Sequence, residues 1–138
     1  MSTTKITVGT TVKAPVEKVW ETYTSPKHIV KWNSASDDWH TTKAENDLRT
    51  GGKFLSRMEA RDGSAGFDFE GVYDEVKRNE LIAYTMADGR KAEIIFTAEN
   101  NETGMKVVFD AETENPVEMQ REGWQAILDN FKKYTEAS

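Results

Sequence analysis

Apolar residues recur at two different intervals along this chain, and the order of those intervals leaves few folds open. Near the start, "KITVGTTV" alternates, with Ile6, Val8, Thr10 and Val12 on one face of a strand. The interval then lengthens. After Pro15, "VEKVWETY" places Val16, Val19, Trp20 and Tyr23 at i, i+3, i+4 and i+7, the stripe of a short amphipathic helix. Pro26 opens a second short helix, with Ser25 as its cap and Ile29 and Val30 on its buried side. The interval next returns to two. "KFLSRMEA" sets Phe54, Ser56 and Met58 on one face, and "GFDFEGVYDEV" sets Phe67 and Phe69 against Asp68 and Glu70. "LIAYTM", "AEIIFTA" and "MKVVFDA" follow at short distances, and Asp-Gly in "RDGS" (61–64) and "ADGR" (87–90) marks hairpin turns. At Gly71 the apolar phase slips from Phe69 to Val72 and Val76, which predicts a bulge there.

The last segment is helical again. Beyond Pro116, Val117, Trp124, Ile127, Leu128, Phe131 and Tyr134 form one stripe, Asn115 is the predicted cap, and Glu118 completes a variant of the capping box. About 20 residues at 1.5 Å each make a rod of roughly 30 Å, long enough to cross a sheet. Strands joined by hairpins are antiparallel. Their shared apolar face needs a cover, and only this last helix has the length for it. The pattern predicts an α+β fold: a curved antiparallel sheet of six to seven strands gripping a long C-terminal helix, with two short helices after the first strand, as one domain over residues 1–138.

Composition removes several function classes. With no cysteine there is no disulfide, thiolate nucleophile or thiolate metal site. A net charge of −6 works against a phosphate backbone, and "FKKY" (131–134) reads as charge near a helix C-terminus rather than a nucleic-acid patch. No apolar run approaches the roughly 18 residues of a membrane span. The opening "MSTTKITVGTTVKAP" alternates instead of forming a signal peptide, so a cytoplasmic location is expected.

The polar residues offer no strong chemical motif. His28 and His40 match no ligand spacing, and no metal or cofactor is expected. His40 should face away from Trp39 on a strand. Asp68 and Glu70 could serve as an acid–base pair but read as a solvated outer face. Arg57, too, is expected outside. Gly51-Gly52 precedes a strand rather than a helix and reads as a turn, not a phosphate loop. Trp20 and Trp32 read as packing residues. Gly123, inside the long helix, fits either a close helix–sheet contact or a thinned helix face that leaves room for a ligand.

Taken together, "VKAPVEKVWETYTSPKHIVKW" (12–32), "DLRTGGKF" (47–54), "FEGVYDEVKRNELIAYT" (69–85) and "EGWQAILDNFKKY" (122–134) resemble the START-like helix-grip superfamily, also called polyketide-cyclase or Bet v allergen-like. Within it they resemble the branch named for the activator of the heat shock protein 90 ATPase. The shared features are Ala14-Pro15, Val19-Trp20, Trp32, Gly51-Gly52 and Gly123-Trp124. Many members have a second Trp where this chain has Asn33. The eukaryotic co-chaperone has an additional N-terminal domain that a chain of 138 residues is not expected to hold. The resemblance implies a cavity between sheet and long helix for apolar or amphipathic small molecules. The residues expected on its wall are Trp39, Phe54, Met58, Phe67, Phe69, Tyr84, Phe96, Gly123, Trp124, Ile127 and Leu128. Binding of a small apolar or aromatic ligand is the first expectation. An enzyme of the polyketide cyclase/dehydratase type is the second, although no catalytic residue is identifiable. A chaperone-cofactor or stress-response interaction protein, with a heat shock protein 90 homologue as partner, is the third.

Overall fold

Alternation at the start of the chain produces β1 (Lys5–Val12), with Ile6, Val8 and Val12 buried and Lys5, Thr7 and Thr11 exposed. The computed structural model describes residues 4–34 and 36–138; the first three residues of the alternating opening stretch, and Ala35, lie outside the described residues. Two short helices follow, α1 (Val16–Thr24) and α2 (Pro26–Trp32). Six further strands come next: β2 (Trp39–Asn46), β3 (Lys53–Ala60), β4 (Gly66–Lys77), β5 (Leu81–Met86), β6 (Lys91–Glu99) and β7 (Glu102–Asp110). The chain closes with α3 (Val117–Ala137), 21 residues long.

All seven strands join one curled antiparallel sheet in the order β1-β7-β6-β5-β4-β3-β2. Consecutive strands from β2 to β7 are neighbours, as hairpins require. The helical pair α1–α2 carries the chain from one edge strand, β1, to the other, β2. Both Asp-Gly turns form where expected, with Gly63 at φ 77° and Gly89 at φ 91°, the left-handed backbone that glycine adopts without strain. Asn79 and Asn100 take the same conformation at the β4–β5 and β6–β7 turns.

The bulge expected at Gly71 lies elsewhere. Pairing of β3 with β4 runs unbroken from Lys53↔Val72 to Glu59↔Gly66. Gly71 stays in phase with Phe69 and sits opposite Phe54. A Cβ there would lie 2.9 Å from the Phe54 ring and 2.5 Å from the Thr85 carbonyl oxygen. The glycine is thus a gap over which an aromatic ring lies. The register shift falls between Tyr73 and Glu75, which turns Val76 back toward the core and leaves Val72 exposed. A second shift lies between Thr41 and Lys43 in β2.

Of the two expected caps, one keeps its position and the other moves. Ser25 occupies the cap position of α2 without a side-chain cap hydrogen bond, and Ile29 is buried while Val30 is only partly so. Pro116, not Asn115, occupies the cap position of α3, again with no side-chain cap bond. Buried Gln120 does the anchoring instead. Its Oε1 accepts from the Glu112 backbone N–H at 2.9 Å, and its Nε2 donates to the carbonyls of Glu112 at 3.2 Å and Asn115 at 2.8 Å.

From this anchor α3 runs along β1 and against the α1–α2 pair. Gln125 Nε2 donates to the Gly9 carbonyl at 3.1 Å, and Glu136 accepts from the Lys13 backbone N–H at 2.8 Å. Phe131, fully buried, is gripped edge-on by Tyr23 and Trp32, with ring centroids 5.1 and 5.0 Å away. Each such ring buries on the order of 150–250 Å², so the far half of α3 is held by several kcal/mol of apolar burial. No helix among the described residues is long and apolar enough to cross a membrane.

Candidate functional site

Docking on β1 and α1–α2 leaves the other side of α3 standing off the middle strands. The space between them is a cavity of about 550 Å³. Its size lies within the roughly 300–1,000 Å³ of small-molecule sites. The sheet contributes Phe54, Ser56, Met58, Phe67, Phe69, Tyr73, Ile82, Tyr84, Ile94 and Val107, all on the concave face that period-two alternation directs inward. The long helix contributes Met119, Gln120, Gly123, Trp124, Ile127 and Leu128. Tyr23, Ile29 and Trp32 from the short helices complete the wall, and Trp39, Glu45 and Asn46 come from β2.

Of the residues expected from sequence, Trp39, Phe54, Met58, Phe67, Phe69, Tyr84, Gly123, Trp124, Ile127 and Leu128 line this cavity. Phe96 does not. It is buried on the α1 side of the sheet, edge-on to Trp20 at 5.2 Å and to Tyr23 at 5.8 Å. The close-contact reading of Gly123 is also overturned, because a Cβ built there meets no atom within 4 Å. Beside it, Trp124 lies flat on Phe109 at 3.9 Å and stands nearly perpendicular to Phe69 at 6.3 Å. Trp32 is packing and wall at once: it stacks on Tyr23 at 4.9 Å and its indole N–H donates to the Thr22 carbonyl at 2.9 Å.

The polar part of the wall was mostly missed. Tyr73, hidden in the sequence by the misread phase at Gly71, donates its hydroxyl to Asn46 Oδ1, and Asn46 Nδ2 donates to the Thr24 carbonyl at 2.6 Å. Tyr84 stands directly across the ladder from Tyr73. Among the described residues the hydroxyls of Tyr84 and Tyr23 have no hydrogen-bond partner. Burial pushes all three phenols above their ordinary pKa; Tyr23 raises Tyr73 and Tyr84 further, Tyr73 raises Tyr84, and Arg90 partly offsets the rise at Tyr84. They are therefore neutral hydroxyls at physiological pH. Arg90 also reaches the wall, where its Nε donates to Asp88 at 2.7 Å.

The remaining candidates lie away from the cavity. Arg57 bridges Glu59 at 3.1 Å and Asp68 at 3.3 Å on the convex face, and Glu70 is exposed beside them. His40 pairs across the ladder with Glu59, opposite in direction to Trp39. His28 Nδ1 lies 2.8 Å from the Tyr134 hydroxyl and ties α2 to α3. Gly51-Gly52 forms a turn knitted to Tyr73, with Gly51 N–H donating to its carbonyl at 2.8 Å. Among the described residues no three His, Asp or Glu side chains come together as a metal-ligand set. At the open side of the cavity, Phe67 and Met119 are 48% and 58% exposed, so the rim itself is apolar.

The family model described as "Activator of Hsp90 ATPase homolog 1-like protein" matches residues 13–136. The solution structure of an AHSA1-like protein from Aeromonas hydrophila is 43% identical, covers 97% of this chain and 93% of that one, and superposes with a TM-score of 0.92. A protein from Cytophaga hutchinsonii, also solved in solution, is 54% identical over 96% of this chain and 92% of that one, with a TM-score of 0.84. A crystal structure from Chromobacterium violaceum shares the fold at 23% identity and a TM-score of 0.86, covering 96% and 98% of the two chains. No curated protein matches.

Proposed function

The chain belongs to the Activator of Hsp90 ATPase homolog 1-like family, and from that premise we propose that it binds a small, largely apolar or aromatic molecule in the cavity between sheet and α3. The observation that carries this reading is the volume left open: about 550 Å³ bounded by Trp39, Phe54, Phe69, Trp124 and their neighbours. A folding chain gains free energy by closing apolar space, because each unfilled void forfeits dispersion contacts. A domain that keeps this much of it, and sets a glycine rather than a larger residue at position 123 of the facing helix, has its wall shaped for something else to fill.

Enclosure by aromatic and aliphatic side chains supplies the affinity, and the few polar groups set orientation. The described wall holds no histidine beside its serines, and its two carboxylates, Glu45 in β2 and Glu112 in the loop before α3, come from different elements; the reading is one of binding. The apolar rim at Phe67 and Met119 is where a ligand would enter.

The test uses the neutral dye N-phenyl-1-naphthylamine. Its fluorescence should rise on addition of the protein, with one site and a dissociation constant on the order of 1–100 µM. Native mass spectrometry of protein purified from its source should then reveal a retained small molecule that displaces the dye. A dye that stays dark at high protein concentration would contradict the proposal.

A further inference from the structure

The cavity wall carries hydroxyls in an unusual state. Tyr84 is only 7% exposed, yet among the described residues its hydroxyl has no partner, while its cross-ladder neighbour Tyr73 is satisfied by Asn46. Tyr23 is equally unpaired. It sits deep between Trp32, Phe96 and Phe131, and the surface it keeps accessible borders the cavity. Ser56 is 5% exposed, lines the same wall and also lacks a partner among the described residues. The only fully enclosed side-chain polar atom without a partner among the described residues is Asn79 Oδ1. The tyrosine hydroxyls are therefore open to the cavity rather than sealed in the core. Buried polar groups are nearly always paired, so hydroxyls left open on a cavity wall await a partner that enters it.

We propose that the wall around Tyr84 and Tyr23 is a hydrogen-bonding subsite for an uncharged oxygen function, such as a ketone or hydroxyl, on an otherwise apolar ligand. This rests on the cavity-binding reading above and specifies its polar end. Phenol O–H groups donate to a carbonyl or hydroxyl oxygen, and Ser56 adds a third hydroxyl. The charge balance selects against an anion. Among the described wall residues Arg90 is the one cation, and Asp88 holds it at 2.7 Å. Glu45 and Glu112 share the wall. A carboxylate placed among the tyrosines would lose its hydration and gain only Arg90, whose charge reaches the Tyr84 hydroxyl but is already shared with Asp88 and opposed by the two glutamates. An uncharged oxygen loses far less and regains it from the hydroxyls.

The experiment compares three probes of one shape: 2-acetylnaphthalene, 2-isopropylnaphthalene and 2-naphthoate. Each displaces N-phenyl-1-naphthylamine from the wild-type chain, Tyr84→Phe, Tyr23→Phe and the double variant. The ratio of ketone to hydrocarbon affinity cancels differences in apolar burial. That ratio should fall about fivefold in Tyr84→Phe and about fivefold or more in the double variant, while hydrocarbon affinity stays within about twofold. Naphthoate should bind the wild type most weakly. Without ligand, Tyr84→Phe should unfold at or above the wild-type temperature, because it removes a hydroxyl that has no partner in the protein. A ratio unmoved by both substitutions, tightest binding by naphthoate, or a clear loss of ligand-free stability in Tyr84→Phe would overturn the subsite. If the hydrocarbon binds but the ratio does not respond, only this inference fails. If no probe binds, the cavity reading fails with it.

Discussion

Gly123→Ala separates a helix that presses on its sheet from one that stands clear of it. Gly123 is the seventh of the 21 residues of α3, well inside the helix, where glycine is about 1 kcal/mol less favourable than alanine. An added methyl normally meets something in a packed interior, but here it has no atom within 4 Å. The helical gain is therefore unopposed, and the variant should be more stable by about 0.5–1 kcal/mol. For a chain of this length that raises the unfolding temperature by about 2–5 °C. Gly71→Ala is the control: its methyl would meet the Thr85 carbonyl oxygen at 2.5 Å and the Phe54 ring at 2.9 Å. Overpacking of that kind should cost about 1–3 kcal/mol. Calorimetric melting and urea titration of the three proteins, with the slope of the urea transition checked for constancy, read both effects. If Gly123→Ala melted below the wild type, α3 would be lying closer to the strands than the structure places it, and the open space would not exist.

Other parts of the structure yield further expectations. Asp110 is held below the usual carboxylate range chiefly by Lys5 Nζ at 2.6 Å and then by the Lys91 backbone N–H at 3.0 Å. Its contribution is present above the unfolded carboxylate pKa of about 3.9 and is lost as pH falls through the lower folded value. Asp110→Asn should cost about 1–2 kcal/mol at neutral pH and flatten the acid limb of a stability–pH curve; an unchanged acid limb would contradict this. Tyr23, Tyr73 and Tyr84, raised by burial, should show no phenolate absorbance near pH 10 and ionise only as the chain unfolds, so stability falls as pH rises beyond the unfolded value. Ionisation of any of these three rings in the folded protein at pH 10, followed residue by residue by NMR, would refute that placement. Gln120→Ala frees the carbonyls of Glu112 and Asn115 and should lower stability by about 1–3 kcal/mol in urea unfolding, more than an exposed glutamine loses.

The architecture was legible because period is a property of the chain itself. Alternation through Phe54, Ser56 and Met58, and the helical stripe through Leu128 and Phe131, each reported a face before any partner was known. Ten wall residues followed from those faces and the family resemblance. Where the reading failed, a cross-strand relation was at work. Gly71 looked like a bulge because its missing side chain breaks the apolar phase, yet the ring that covers the gap belongs to Phe54, seventeen positions earlier and directly opposite in the ladder. That error hid Tyr73 and, with it, the Tyr73–Asn46 bond on the wall. Phe96 alternates correctly with its neighbours, but the sheet curls, so its end of β6 meets α1 instead of the cavity. Asn115 carried a capping signature, while the anchoring fell to Gln120, whose three bonds all lead to a loop that local pattern does not describe.

The most direct test of the open cavity is a methyl NMR titration with 2-acetylnaphthalene. Shifts should concentrate on Ile29, Ile82, Ile94, Val107, Ile127 and Leu128, which come from α2, β5, β6, β7 and α3 and all border this cavity, and Val72 on the convex face should not move. Saturation with the methyls of those six residues unmoved, or movement confined to exposed positions such as Val72, would contradict the account.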